Sequence, residues 1–171
     1  MGLFNNLLGR LARKEEVEED NLTSPYYAKE FDNRLQRLET LTSLCNTVTD
    51  RGKRERIELD LKLEKYGMVG ESNVDFEVRH SNIPMLVFHN IRIEYEGFIA
   101  QMDFILITKT SVYILETKRL SGDIEVTSTG DFIRNIKDIN GALIKREGMY
   151  SPITQSQRQA SILRQLLMDH L

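Results

Sequence analysis

Residues 98–118 contain two neighbouring segments in which both sets of alternating positions are apolar. Side chains in a β-strand alternate between the two faces of a sheet, so a strand that is apolar at every position must be covered on both faces. One face carries Ile105, Ile107, Val112 and Ile114, and the other carries Phe104, Leu106, Tyr113 and Leu115. The pattern predicts two central strands of a sheet that helices cover on both sides, and therefore an α/β fold.

The surrounding sequence supplies the other elements of such a fold. Pro25 is suited to a first helical turn, and apolar residues then recur every three or four positions, which predicts a helix from Pro25 and a second one over 53–79. Strands are predicted at 85–95, 98–107 and 111–118, and a shorter hairpin at 123–128 and 131–135. Ser151-Pro152 opens a last helix, with an apolar stripe formed by Ile153, Ala160, Leu163 and Leu167.

The length of 171 residues corresponds to one domain with an appendage. We divide it into a tail with an acidic linker (1–24), a helical extension (25–66) that is a candidate surface for a homodimer, and an α/β core (67–171). Leu3, Phe4, Leu7, Leu8 and Leu11 share one helical face. For residues 3–11, contact with a membrane surface is therefore an alternative to a frayed tail.

The composition excludes several classes of protein. A net charge of -3 excludes a histone-like polycation, although a local basic groove is compatible with it. A single cysteine, Cys45, cannot form an internal disulfide or a zinc cluster. Because the only cysteine forms no internal disulfide, we expect a reducing, cytoplasmic compartment. No apolar segment approaches the roughly 18 residues of a membrane span. The three histidines, including His89, show no ligand spacing and are expected at the surface or the core edge.

Three charged residues interrupt the apolar strands. A turn centred on Lys109 and Thr110 would place Asp103 directly opposite Glu116, with Lys118 two residues further along the same face. Directly opposed side chains have Cβ atoms roughly 5 Å apart. Two carboxylates at that distance repel each other unless a proton, a cationic side chain or a metal ion compensates them.

The charged trio is compatible with two functions. Mg²⁺ is commonly held by one or two carboxylates together with water and phosphate oxygens, so the pair suits metal-assisted phosphodiester hydrolysis, with the lysine assisting the attacking water. The alternative is a structural network of ion pairs that seals one end of the sheet. The spacing of the residues leaves both open.

Four further residues are candidates for the same site. Glu71 lies on an otherwise small or apolar helical row, where a carboxylate usually needs a partner, although an edge position in solvent is also compatible. A hairpin turning at Glu96-Gly97 places Arg92 opposite Gln101, and both are candidate contacts for substrate. Gln155, in the first turn of the last helix, can direct its amide toward the strand ends; otherwise it is a surface residue.

Taken in order, four segments resemble the nuclease-related domain family (NERD), a branch of the PD-(D/E)XK nuclease-like superfamily. They are Gly70-Glu71 before an apolar helix, Gln101-Met102-Asp103, the segment Tyr113–Lys118 followed by Ser121-Gly122, and Ser151-Pro152-Ile153-Thr154-Gln155. A glutamate and a lysine two residues apart often occur by chance, but the four segments in this order are much more specific. The resemblance covers about residues 67–171.

The resemblance implies a restriction-endonuclease-like αβββα(β) core, preceded here by the N-terminal helical hairpin, and a metal-dependent nuclease site. Asp103 and Glu116 would bind Mg²⁺ or Mn²⁺, and Lys118 would serve the attacking water. Glu71 would assist at the metal, and Gln155 would contact substrate or support the site. The family occurs in bacterial cytoplasmic proteins, often beside DNA-processing modules, so DNA is the implied substrate.

This sequence departs from the family pattern in two places. Family members frequently have histidine directly after the strand aspartate, where this chain has Phe104. The family core also has a strand after the glutamine-bearing helix, and we expect that strand to be absent from these 171 residues.

Overall fold

A computed structural model describes residues 22–31 and 35–170. It contains three helices and two sheets in that part of the chain. The helices are α1, α2 and α3, at Leu35–Thr47, Arg51–Arg79 and Pro152–His170. The strands are β1 to β7, at Pro25–Lys29, Met85–Tyr95, Phe98–Ile107, Val112–Leu115, Asp123–Val126, Phe132–Lys137 and Leu143–Met149. The mixed α/β class expected from the sequence is confirmed.

The larger sheet has the order β1-β2-β3-β4. β2, β3 and β4 form an antiparallel meander, and β1 pairs parallel to β2. The β2–β3 turn consists of Glu96 and Gly97, whose φ angles of 48° and 78° belong to the type I′ turn that matches the twist of paired strands. The predicted turn and the predicted positions of β2 and β3 are confirmed.

Helices cover both faces of this sheet. β3 is a central strand, as predicted, but the prediction is wrong for β4, which is the edge strand of the described sheet and has Tyr113 51% exposed. On one face, Phe88, Met102 and Ile105 pack with Ile162 and Leu163 of α3. On the other face, a smaller group that includes Val87 and Phe104 packs with Val78 of α2. The sheet is therefore the middle layer between α2 and α3.

Side chains alternate regularly between the two faces of the sheet except at one cross-strand position. Asn90 and Asp103 lie between the pairs His89↔Phe104 and Ile91↔Met102. Asn90 has a left-handed backbone with φ of 52°. Phe88 and Ile91 consequently both belong to the α3 face, although strict alternation would place them on opposite faces. We call this irregularity, formed by Asn90 and Asp103, the switch. It places two polar residues in the middle of the sheet, while apolar residues pack on both faces on either side of them.

Residues 25–29 form strand β1, so the prediction of a helix from Pro25 is wrong there. The boundaries of the helical extension (25–66) stay a prediction, with its helices now located at α1 and the first half of α2. The tail over 1–24 and the apolar segment 3–11 lie outside the described residues, except for 22–24.

Strands β5 to β7 form a separate antiparallel sheet. The sequence predicted the β5–β6 hairpin but not β7. Gly122 precedes β5 with φ of 91°, and a Cβ there would lie 2.5 Å from the backbone oxygen of Asn135. Only glycine allows this close approach, which joins the small sheet to the segment after Lys118.

The α1–α2 hairpin has little core of its own. No residue of α1 is buried, and Leu35, Leu44, Leu59 and Leu63 are all exposed. The homodimer through these helices stays a prediction. Among the described residues, no helix combines the length and the apolar character needed to cross a membrane.

Tyr27 ties β1 to α2. Its hydroxyl donates a 2.7 Å hydrogen bond to Asp75 Oδ1, and the Arg79 guanidinium lies 4.0 Å from the centre of its ring. Burial, and then the hydrogen bond to Asp75, raise the pKa of the Tyr27 phenol above its ordinary value. The protonated phenol therefore stabilises the fold fully below the unfolded-state pKa of about 10, and this contribution is lost as the pH rises above that value.

We expect Tyr27→Phe to lower the free energy of unfolding by about 1 kcal/mol at pH 7, the net value of one hydrogen bond. The difference from the parent chain should shrink above about pH 10, where the phenol of the unfolded parent ionises. Urea denaturation at pH 7 and pH 10.5 measures both effects. Tyr113→Phe is the matched control, since Tyr113 is 51% exposed. Equal losses in the two variants would contradict the assignment.

Candidate functional site

Asp103 and Glu116 occupy neighbouring strand positions. Phe104 of β3 pairs with Leu115, the last residue of β4. One further step along the same register places Asp103 opposite Glu116, so the predicted register is confirmed. β4 ends earlier than predicted, however, and Glu116 is the first residue after the strand.

Asp103 is held by the residue that follows Glu116. Its Oδ2 accepts hydrogen bonds from the backbone nitrogen of Thr117 at 2.8 Å and from the Thr117 hydroxyl at 2.7 Å. Within residues 22–31 and 35–170, its Oδ1 has no hydrogen-bond partner. Thr117 fixes the orientation of this carboxylate, a role that the sequence did not suggest.

Glu116 is almost entirely buried, with a side chain that is 6% exposed. Its Oε1 forms an ion pair with the amine of Lys118, whose side chain is 35% exposed. Its Oε2 accepts a 2.9 Å hydrogen bond from Nε2 of Gln159 on α3. Lys118 and Gln159 therefore hold the Glu116 carboxylate from two sides, and the Lys118 side chain is partly exposed to solvent.

Gln159 is a site residue that the sequence interpretation missed. It is 4% exposed, and its Nε2 also donates to the backbone oxygen of Gln101 at 2.6 Å. It lies one helical turn after Gln155, so the spacing of four between the two glutamines was the available signal. The structure thus brings a glutamine of α3 onto Glu116, one turn beyond the predicted position.

The other predicted contacts lie around this centre. Arg92 pairs across the strands with Gln101, as expected. The Gln101 side chain donates to Oδ1 of Asn90 at 3.0 Å, and Nη2 of Arg92 lies 3.3 Å from Oε2 of Glu94. Gln155 is half-buried, on the face of α3 that carries Gln159.

Glu71 has a different partner from the one expected. It is buried, and its Oε2 lies 2.9 Å from Nε2 of His89, which is fully buried. His89 is therefore a core residue and not a surface or edge residue. It pairs across the strands with Phe104, and the two rings lie 4.8 Å apart. An imidazole thus lies directly beside the position where the family frequently has histidine.

The carboxylates of Asp103 and Glu116 together suit a cation that needs few ligands from the protein. Across the part of the chain described, no group of three or more His, Cys, Asp or Glu side chains is arranged to hold a metal ion, so Glu71 does not complete such a group with Asp103 and Glu116. The two carboxylates alone match Mg²⁺, which keeps several waters and often uses one or two carboxylates. Oxygen-only ligands also suit Mn²⁺.

Comparison with protein families found a match over the C-terminal part of the chain. A family model described as the nuclease-related domain, NERD, matches residues 66–171. No curated protein matches the chain, and no solved structure does. The matched region contains the carboxylate pair, the lysine and the whole of α3.

Proposed function

The chain belongs to the nuclease-related domain family, and we propose that it is a metal-dependent nuclease that hydrolyses the phosphodiester bonds of DNA. The observation that supports the proposal is the register of β3 and β4, which brings Asp103 opposite Glu116, the first residue after β4, together with the ion pair between Glu116 and Lys118. We expect the protein to act in the bacterial cytoplasm, where the family occurs.

Asp103 and Glu116 are the residues that would hold Mg²⁺ or Mn²⁺. A bound divalent ion neutralises phosphate charge and lowers the pKa of a coordinated water. Thr117 holds Oδ2 of Asp103, and Oδ1 accepts no hydrogen bond from the described residues. Glu116 is fixed between Lys118 and Gln159, and a metal ion would use the lone pairs of its oxygens that these two side chains leave open.

Lys118 would act on the attacking water. Its amine is anchored by Glu116 at one side, yet about a third of the side chain is exposed, so it can donate a hydrogen bond to a water or to a phosphate oxygen. A fixed ammonium beside the reacting phosphate also stabilises the charge that develops in the transition state. Arg92, Gln101 and Gln155 are the proposed contacts to the rest of the substrate.

The test is cleavage of supercoiled plasmid and linear DNA with Mg²⁺, with Mn²⁺ and with EDTA. We expect cleavage that depends on the ion and is lost in Glu116→Gln and Lys118→Ala. Glu77→Gln and Lys65→Ala, at exposed positions of α2, are matched controls that should cleave as the parent does. Metal-independent cleavage, or full activity in the site variants, would contradict the proposal.

A second candidate is a catalytically inactive module that binds nucleic acid or protein, with Asp103, Glu116 and Lys118 as a structural cluster. The observation that favours it is the internal satisfaction of Glu116, whose two oxygens are both taken by side chains of the same chain. In that case DNA binding, if present, should be equal in the parent and in Glu116→Gln, and neither should cleave. Fluorescence anisotropy of labelled DNA with and without Mg²⁺ distinguishes the two.

A further inference from the structure

The amide of Gln159 has only one orientation that satisfies its surroundings. Its two contacts, the backbone oxygen of Gln101 and Oε2 of Glu116, are both hydrogen-bond acceptors. The nitrogen must therefore face them, because an amide turned the other way would bring oxygen against oxygen. The orientation of the carbonyl oxygen follows from these two contacts.

That carbonyl oxygen, Oε1, is buried, and no donor reaches it from the described residues. Most buried acceptors in native proteins have a hydrogen-bond partner, because leaving one unpaired is unfavourable. The amine of Lys118, the lysine of this site, bonds to Oε1 of Glu116 and not to Gln159. Gln159 thus presents an unused acceptor next to a carboxylate that is proposed to bind a metal ion.

We propose that Gln159 is a further positioning residue of this site, and that its Oε1 accepts a hydrogen bond from a water molecule that enters with the divalent ion. The proposal rests on the proposed nuclease function and adds a residue that the family resemblance did not indicate. The amide nitrogen holds Glu116 in place, and the amide oxygen orients the water. The Gln159 side chain thereby connects helix α3 to the Glu116 carboxylate and to the water that accompanies the ion.

A water bound to the metal ion suits Gln159 Oε1 as a partner, because such a water is a strong hydrogen-bond donor. Mg²⁺ dehydrates reluctantly and keeps several of its waters in a protein site. A metal-bound water is polarised and donates strong hydrogen bonds, and protein acceptors that receive them orient the ion. The buried Oε1 is an acceptor of this kind, whereas a purely structural glutamine would have both ends of its amide paired.

The main experiment measures Mn²⁺ and Mg²⁺ binding to the full chain by isothermal titration calorimetry. Gln159→Met keeps a side chain of similar length but removes both the donor and the acceptor. We expect its affinity for the ions to fall by about 10- to 100-fold, the range found when residues that orient metal ligands are replaced. Gln165→Met, at an exposed position of α3, is the matched control and should bind as the parent does.

A second measurement does not depend on the Gln159→Met variant. The side-chain amide of Gln159 gives its own ¹H–¹⁵N resonances, and titration of the parent chain with Mg²⁺ should shift them as the ion binds. Glu116→Gln should abolish that shift. Unchanged resonances at saturating Mg²⁺ would overturn the proposal, even if Gln159→Met does not fold.

The outcomes separate this proposal from the nuclease function. If the parent binds Mg²⁺ and cleaves DNA but Gln159→Met binds the ion within twofold of the parent, Gln159 is only a structural link and the function stands. If the parent neither binds an ion nor cleaves, both proposals are overturned. Weaker ion binding in Gln159→Met, together with an unchanged Gln165→Met, supports the positioning role.

Discussion

Asp103→Asn should reduce Mg²⁺-dependent DNA cleavage by about 1,000-fold, or roughly 4 kcal/mol of transition-state stabilisation at 1.36 kcal/mol per factor of ten. Asparagine can still accept both hydrogen bonds of Thr117 through its amide oxygen, so the fold around the site should persist. What is lost is the negative charge that would hold the ion. Single-turnover cleavage at saturating DNA measures the effect.

Thr117→Val provides a graded comparison for Asp103→Asn. It removes the hydroxyl donor at 2.7 Å but keeps the backbone donor at 2.8 Å, so Asp103 retains its charge and one of its two anchors. We expect a smaller loss of rate, about 10-fold. If Asp103→Asn cleaves at more than about a tenth of the parent rate, Asp103 does not hold the ion and the site must be reassigned.

Glu71→Ala should lower the free energy of unfolding by about 3 kcal/mol, the largest stability loss that we expect. The change leaves the fully buried His89 without the carboxylate that lies 2.9 Å from its Nε2. Glu71→Gln keeps a hydrogen-bonding group of the same shape and should cost less. Urea denaturation in EDTA measures the effect without any contribution from metal binding.

The control for this prediction lies on the same helix. Glu77 is exposed, and Glu77→Ala should change the stability by less than about 0.5 kcal/mol. A different result for Glu71→Ala, with little loss in EDTA but a large loss of Mg²⁺ affinity, would show that Glu71 serves the metal as the sequence predicted. The contact with His89 favours the structural role.

The β2–β3–β4 meander was predictable because its signals are local. A two-residue turn at Glu96-Gly97 and a short connection after β3 fix which residues face each other, so the opposition of Asp103 and Glu116 follows from chain geometry. The resemblance to the nuclease-related domain is likewise confirmed by the family match. The four segments that carry the resemblance lie within or next to helices and strands of the matched region, so they too are local signals.

The missed features depend on contacts between distant parts of the chain. β1 has only five residues and pairs with β2 some sixty positions later, so the apolar spacing after Pro25 was mistaken for a helix. The stripe predicted for α3 is only half right: Leu163 is buried and Leu167 packs against the core, but Ile153 is 59% exposed and Ala160 is also exposed. The buried positions include Gln159, whose polar side chain gave no apolar signal at all.

The switch at Asn90 and Asp103 would separate the proposed catalysis from folding in this protein. Neither apolar core cluster includes Asn90, Asp103 or Glu116. We therefore expect that the two carboxylates can be replaced while the fold keeps its shape. An evolving lineage could therefore lose the chemistry and retain a well-folded domain, available for binding alone. Thermal denaturation of an Asp103 and Glu116 double substitution, matched against its parent, would show how completely the two properties are uncoupled.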